Sequence, residues 1–219
     1  MKLHLAQHLA EVFAAALTPF VERVEIAGSI RRLEDEVKDI EIVCLAKLED
    51  VEEKNLFDEV VDTKQTSVTE NNLPFVMLDT GWQSGSKDGP RYKRLIHTET
   101  KINLDLFIIP DAHEWGAVLL IRTGPAEFNM ALMRFINSRQ MHLTGNQLHP
   151  HSKRWKHKSG EKVSEPCEKG VACPLIIPTP DETAFLEAIG FHWVAPQRRT
   201  PEWVNRQAKR VLGLQKAAA

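Results

Sequence analysis

The feature that most limits what this chain can fold into is a glycine turn leading to a strand with acids at alternate positions. Gly28-Ser29-Ile30-Arg31-Arg32 is followed by Asp39-Ile40-Glu41-Ile42-Val43-Cys44-Leu45. Side chains two apart on a strand share a face. Asp39 and Glu41 therefore project together, while Ile40 and Ile42 point the other way into a core. Two adjacent carboxylates repel each other, and a bound divalent cation removes that cost; hard Mg²⁺ prefers such oxygen ligands. A third acid, Asp105, sits inside the apolar strand Leu104 to Ile109. If the two strands are neighbours, three carboxylates converge into a site for one or two metal ions that catalyse an in-line phosphoryl displacement. The structural alternative makes Asp39 and Glu41 the exposed face of an edge strand, paired to Lys or Arg.

The turn supplies a complementary feature. Glycine lets backbone N–H groups approach an anion, and the Ser29 hydroxyl can donate as well. Arg31 and Arg32 add charge suited to phosphate geometry. No Gly-x-x-x-x-Gly-Lys-Ser/Thr is present, so a Walker-type triphosphate cradle is excluded. Gly85-Ser86-Lys87 lacks the spacing and the following helix.

The remaining chain reads as strands before Pro110 and helices after it. Leu5, Leu9, Val12, Phe13, Ala16 and Leu17 recur at helical spacing until Pro19. Val21 to Ala27 reads as a strand, and Arg31 to Lys38 as a charged loop. Residues 47–72 are acidic, then polar, with weak periodicity. Pro74 to Leu78 reads as a short apolar strand and Trp82 to Pro90 as a Gly/Ser loop. Trp115 to Ile121 and Glu127 to Ile136 read as helices broken by Thr123-Gly124-Pro125. Asp181 to Ile189 is a helix closed by Gly190, and Trp203 to Leu212 is the last helix.

Composition bounds the class. With 219 residues, 42% hydrophobic and 26% charged, the chain suffices for one large domain or two small lobes. No apolar run approaches the ~20 residues of a membrane span. The first residues, with His4, Gln7 and His8, lack the apolar core of a signal peptide. Three scattered cysteines do not make a disulfide scaffold. The expectation is a cytoplasmic protein with no membrane partner. Residues 1–140 carry 16 Lys/Arg against 23 Asp/Glu, whereas residues 141–219 carry 12 against 7. That split suggests a molecule with two electrical faces.

On these residues the chain resembles the nucleotidyltransferase superfamily and, within it, DNA polymerase family X, the polymerase beta type. Gly28-Ser29-Ile30-Arg31-Arg32 is similar to the family's Gly-Ser-x-Arg-Arg, Asp39-x-Glu41 to its Asp-x-Asp pair, and Asn103-Leu104-Asp105-Leu106 to the strand bearing its third carboxylate. Trp115-Gly116 through Arg122-Thr123-Gly124 and Phe128-Asn129 resembles the helix–Thr-Gly–helix that holds the incoming nucleotide. Pro180-Asp181-Glu182 to Gly190-Phe191, then Pro196 to Arg199, resembles the family's C-terminal helix and Pro-x-x-Arg ending. Glu41 stands where the family has Asp, and Ile121-Arg122 where it has an aromatic pair.

The resemblance implies an α+β protein. A nucleotidyltransferase-type mixed-sheet palm with flanking helices, residues 1–110, would precede a mainly helical nucleotide-binding thumb with a small β element, residues 111–219. It implies two Mg²⁺ or Mn²⁺ ions, with Asp39 and Glu41 binding both. Asp105 would bind the catalytic one and accept the hydroxyl proton. Gly28, Ser29 and Arg32 would hold the β- and γ-phosphates, Thr123 and Gly124 the sugar, and Asn129 the minor-groove edge of the base. The reaction implied is nucleotidyl transfer from a nucleoside triphosphate to the 3′-hydroxyl of a DNA primer, on primer-template or gapped DNA in repair, by a monomer. The alternatives are a nucleotidyltransferase acting on RNA, protein or a small molecule, and a nucleic-acid-binding module without catalysis.

Two further groups stand out. Arg91, Lys93 and Arg94, with Lys153, Arg154, Lys156 and Lys158 around Trp155, suit a nucleic-acid backbone, against the ordinary reading of a solvated basic loop. His149, His151, His157, Cys167 and Cys173 could bind zinc, although Cys-x₅-Cys is looser than a zinc knuckle. Surface histidines with incidental cysteines are the plainer reading.

Overall fold

The computed structural model describes residues 1–55, 57, 59–150, 154–158, 161–165 and 175–217, with backbone alone for 53–54, 154–158, 161–165 and 214–217. The chain divides into two compact units, Met1–Asp111 and Ala112–Ala219.

The first unit is a five-stranded mixed sheet with two helices on one face. Helix α1 (Leu3–Leu17) leads through a 3₁₀ turn, Thr18–Phe20, into β1 (Val21–Ile26). The short helix α2 (Gly28–Arg31) precedes β2 (Asp39–Ala46). A hairpin, β3 (Leu48–Lys54) and β4 (Val60–Ser67), forms its own two-stranded sheet. Helix α3 (Val68–Asp79), β5 (Trp82–Gly89), β6 (Tyr92–His97) and β7 (Asn103–Ile109) follow. The main sheet runs β1-β2-β7-β6-β5, with β2 parallel to β7 and every other pair antiparallel.

Alternation along β2 and β7 sorts the side chains. Ile40, Ile42, Cys44, Leu104, Leu106 and Ile108 join Ala6, Ala10, Phe13 and Leu17 of α1 and Leu73 and Val76 of α3 in one core. The buried stripe of α1 is Ala6-Ala10-Phe13-Leu17, whereas Leu5 and Val12 are exposed. Alanines on that stripe let the helix lie close to the strands. Phe13 meets Trp82 edge to face, their ring centroids 6.0 Å apart. Burying one such aromatic is worth about 2–3 kcal/mol.

Two segments differ from the sequence expectation. Pro74 to Leu78 is the second half of helix α3 and not a strand. Ser67 caps that helix, accepting from the Glu70 N–H at 3.1 Å; once begun, the helix tolerates Pro74 on its exposed side. Trp82 to Pro90 is not a loop: its first eight residues form β5. A Cβ on Gly85 would lie 2.6 Å from the Arg94 carbonyl oxygen, so the glycine permits close backbone approach within the pair.

In the second unit, α4 (Trp115–Thr123) and α5 (Ala126–Ser138) are followed by the hairpin β8 (His142–Thr144) and β9 (Gln147–His149). A second hairpin, β10 (Arg154–Lys158) and β11 (Glu161–Glu165), precedes α6 (Glu182–Ala188) and α7 (Pro201–Ala217). Phe128, Leu132, Phe135 and Ile136 of α5 recur at helical spacing and pack with Phe185, Leu186, Ile189, Phe191 and Val204. The Asp181 carboxylate caps α6 through the Ala184 N–H at 2.7 Å, and Gly190 closes it at φ +83°. At Gly116 any Cβ would overlap the Asp181 carbonyl, which fixes glycine where α4 meets the turn before α6. The architecture is mixed α+β. Among the described residues no helix is long and apolar enough to cross a membrane.

Candidate active site

The parallel pairing of β2 with β7 sets Glu41 opposite Asp105 and Asp39 opposite Asn103. The antiparallel pairing of β7 with β6 sets Asp105 opposite Arg94. Residues in register share a face, so Glu41, Asp105 and Arg94 form one row across three strands, with Asp39 one step away. This is the sheet face opposite α1 and α3. Asp39 and Glu41 are half-buried, whereas Asp105 is buried.

Beside this row lies the glycine turn. The Ala27 N–H donates to the Glu41 carbonyl at 2.8 Å, tying the end of β1 to β2. Gly28 follows with φ +61°, a left-handed conformation that L side chains rarely adopt. A Cβ there would overlap Glu41 Oε2 and sit 3.1 Å from its Cδ. The glycine is thus required twice, by its backbone and by the carboxylate pressed against it. The Ser29 Oγ is buried and has no hydrogen-bond partner. A buried polar group without a partner is costly, and this one belongs to the residue that follows Gly28, which packs against Glu41.

Asp105 is held by three hydrogen bonds. Arg94 Nε donates to Oδ1 and Arg94 Nη2 to Oδ2, both at 2.7 Å, and the Tyr92 hydroxyl donates to Oδ1 at 2.9 Å. Tyr92 stacks on Phe107 with ring centroids 5.1 Å apart. Burial, then the hydrogen bond to Asp105, pushes the Tyr92 phenol above its usual pKa; the fork to Asp105 raises that of the Arg94 guanidinium and keeps it charged.

The oxygen donors Asp39 and Glu41 have the chemistry of a hard-cation site. Asp105, as bonded, does not join them: among the described residues no three His, Cys, Asp or Glu are grouped to hold a metal ion.

The other expected site residues fall as follows. Arg32 forks onto Glu34, both its Nε and Nη2 lying 2.7 Å from Oε1. Arg91 is exposed at the turn before β6, and Lys93 is bonded to Asp88 at 2.6 Å. Thr123 is fully buried at the end of α4. Gly124 follows it, and a Cβ there would meet Asn129 Oδ1 at 2.6 Å. The Asn129 amide donates to the Ile121 and Gly124 carbonyls at 2.8 and 3.1 Å, so it braces the α4–α5 turn, while its Oδ1 is buried without a partner. Arg154, Lys156, Lys158 and His157 lie on the β10 backbone. Lys153, His151, Cys167 and Cys173 lie outside the described residues. His149 is buried in the β8–β9 hairpin and stacks on His142 at 4.7 Å.

Sequence reading missed the role of Arg94 toward Asp105. It also missed the buried pair between Arg199 Nη1 and Glu182 Oε1, 2.8 Å apart. No local pattern marks the second pair, because Glu182 opens α6 and Arg199 follows the 3₁₀ turn Pro196–Arg198.

No curated protein matches the chain. Residues 118–200, from within α4 to the residue before α7, match the family model of the DNA polymerase beta thumb. The match, confined to the thumb region, supports a family X-like polymerase, and such a domain implies DNA binding.

Proposed function

We propose that the protein is a metal-dependent nucleotidyltransferase that extends the 3′-hydroxyl of a DNA primer, filling short gaps. The observation that carries this reading is the packing of Gly28 against Glu41 in the Glu41–Asp105 row, with the unpartnered Ser29 hydroxyl on the next residue of the same turn. The polymerase beta thumb match of residues 118–200 supports a polynucleotide acceptor. The first unit serves as the palm and the second as the thumb.

In this reading Asp39 and Glu41 would hold the divalent cation, Mg²⁺ or Mn²⁺, and Asp105 would complete the set for the catalytic ion of two. The ions, when bound, supply electrostatic stabilisation of the charge that develops on the transferring phosphoryl group. Ser29 donates its unused O–H to a triphosphate oxygen, and Gly28 keeps the backbone low enough for that oxygen to approach. Arg32 leaves Glu34 for the same anion, a charge-assisted exchange of one carboxylate for a phosphate. Thr123, Gly124 and the Asn129 brace shape the turn that receives sugar and base. Arg91, with Lys153, Arg154, Lys156 and Lys158, meets the DNA backbone.

Pyrophosphate release measures the reaction directly. Wild-type protein with primer-template, Mg²⁺ and a complementary dNTP is expected to release one pyrophosphate per nucleotide added. Folded protein that releases none with single-stranded, recessed or gapped DNA would shift the reading to another acceptor or to a binding module.

A further inference from the structure

We infer that Arg94 is a positioning residue that competes with the divalent cation for Asp105, so that the third carboxylate enters the metal site only when the guanidinium fork is displaced. The inference rests on the proposed metal-dependent transfer.

A carboxylate offers about four lone-pair sites. Arg94 Nε and the Tyr92 hydroxyl take two on Oδ1, and Arg94 Nη2 takes one on Oδ2. One site remains, on Oδ2. In this arrangement Asp105 has its charge neutralised and most of its donor capacity used by its own chain. The fork is charge-assisted and bidentate, the strongest class of side-chain hydrogen bond. It arises from strand register, because Arg94 and Asp105 are direct cross-strand partners and the pairing needs no loop to close. The partners differ in exposure: the Asp105 side chain is 9% exposed and the Arg94 side chain 35%. The acid is fixed in the sheet, whereas the guanidinium has solvent to move into. Tyr92, stacked on Phe107, keeps Asp105 oriented when Arg94 leaves.

A positive guanidinium beside Asp39, Glu41 and Asp105 also opposes any incoming cation directly. Removing it should raise metal affinity while loosening the geometry of Asp105. A merely structural ion pair would lower stability and leave cation affinity unchanged.

The test is Mn²⁺ binding without nucleotide or DNA, read from the loss of the free-ion electron paramagnetic resonance signal. Arg94→Gln should bind Mn²⁺ at least ten times more tightly than wild type. Arg94→Lys, which keeps the charge but not the fork, should fall between the two, tighter than wild type and weaker than Arg94→Gln. Equal affinity in Arg94→Gln and wild type would overturn the inference. A second measurement uses the wild-type protein alone. The ¹⁵N side-chain resonance of Arg94 Nε, assigned by its loss in Arg94→Lys, should shift on saturation with Mg²⁺. No shift would also overturn the inference. Pyrophosphate release by the wild type is scored separately. Its absence together with tighter Mn²⁺ binding in Arg94→Gln would remove the proposed reaction and retain the competition; its presence with unchanged Mn²⁺ binding would do the reverse.

Discussion

Replacing Gly28 with alanine isolates the contribution of the turn. At φ +61° a residue with a Cβ carries a backbone penalty of about 1–2 kcal/mol. The added carbon would also overlap the Glu41 carboxylate. That carboxylate is the far end of a rotatable side chain, so the overlap is relieved by swinging it away, at small cost to folding but with displacement of a proposed metal ligand. Gly145 provides the control, because its φ is +56° and a Cβ there meets nothing within 4 Å. Both variants should lose about 1–2 kcal/mol, a fall in melting temperature of roughly 5–15 °C for a unit of about 100 residues. Only Gly28→Ala should lose nucleotidyl transfer beyond its loss of folded protein, by about tenfold or more. Thermal unfolding followed by circular dichroism, with pyrophosphate release at a temperature where both variants are folded, reads the two effects apart. A Gly28→Ala protein with the melting temperature and activity of wild type would refute the argument.

Other consequences follow from burial. Glu182→Ala removes the acid that pairs with the Arg199 guanidinium, whose side chain is 0% exposed, and should cost about 3–5 kcal/mol in urea unfolding; a loss below about 1 kcal/mol would mean that the pair is not buried as described. The Cys44 thiol is pushed up to about 12 by burial. Its folded pKa exceeds its unfolded value, so the folded state retains the proton longer and stability falls as pH rises from about 9 to 12, by at most about 1.4 kcal/mol per unit. In a Cys167→Ser, Cys173→Ser background, where Cys44 is the one remaining cysteine, a disulfide reagent at pH 8 should find no thiol in native protein and one in guanidinium. Rapid native labelling would contradict the burial.

Periodicity made much of the fold legible. Strands β1, β2 and β7 and helices α1, α4, α5, α6 and α7 each carry a continuous apolar pattern or a clear stop. The remainder failed for identifiable reasons. In α3 the proline suggested a strand, although Ser67-Val68-Thr69-Glu70 is a capping-box sequence that announces a helix. In the β3–β4 hairpin polar and acidic residues occupy both faces, so no alternation marks it. In β5 a glycine and two serines read as a loop because the close approach that needs Gly85 is made by another strand.

The candidate site divides in the same way. The turn, the Asp39–Glu41 pair and the Asp105 strand are local patterns and could be read as such. The Arg94–Asp105 fork joins residues 11 apart through the register of β6 on β7. With Arg91, Lys93 and Arg94 read as a basic stretch facing a nucleic-acid backbone, that register is not anticipated and Arg94 has no reason to turn toward Asp105. Asn129 is comparable. A residue expected to face a base has its amide committed to the end of α4, a role set by the backbone of the turn.

Primer extension on a one-nucleotide gap, comparing wild type with Asp39→Ala at matched folded concentration, tests the central claim most directly. A metal ligand that stabilises the transition state is worth several kcal/mol, so the variant should be slower by about 10³-fold or more at 1.36 kcal/mol per decade. Wild type should add the complementary nucleotide in Mg²⁺ and none in chelator. Extension by Asp39→Ala at the wild-type rate, or no extension by folded wild type on any DNA, would contradict the account.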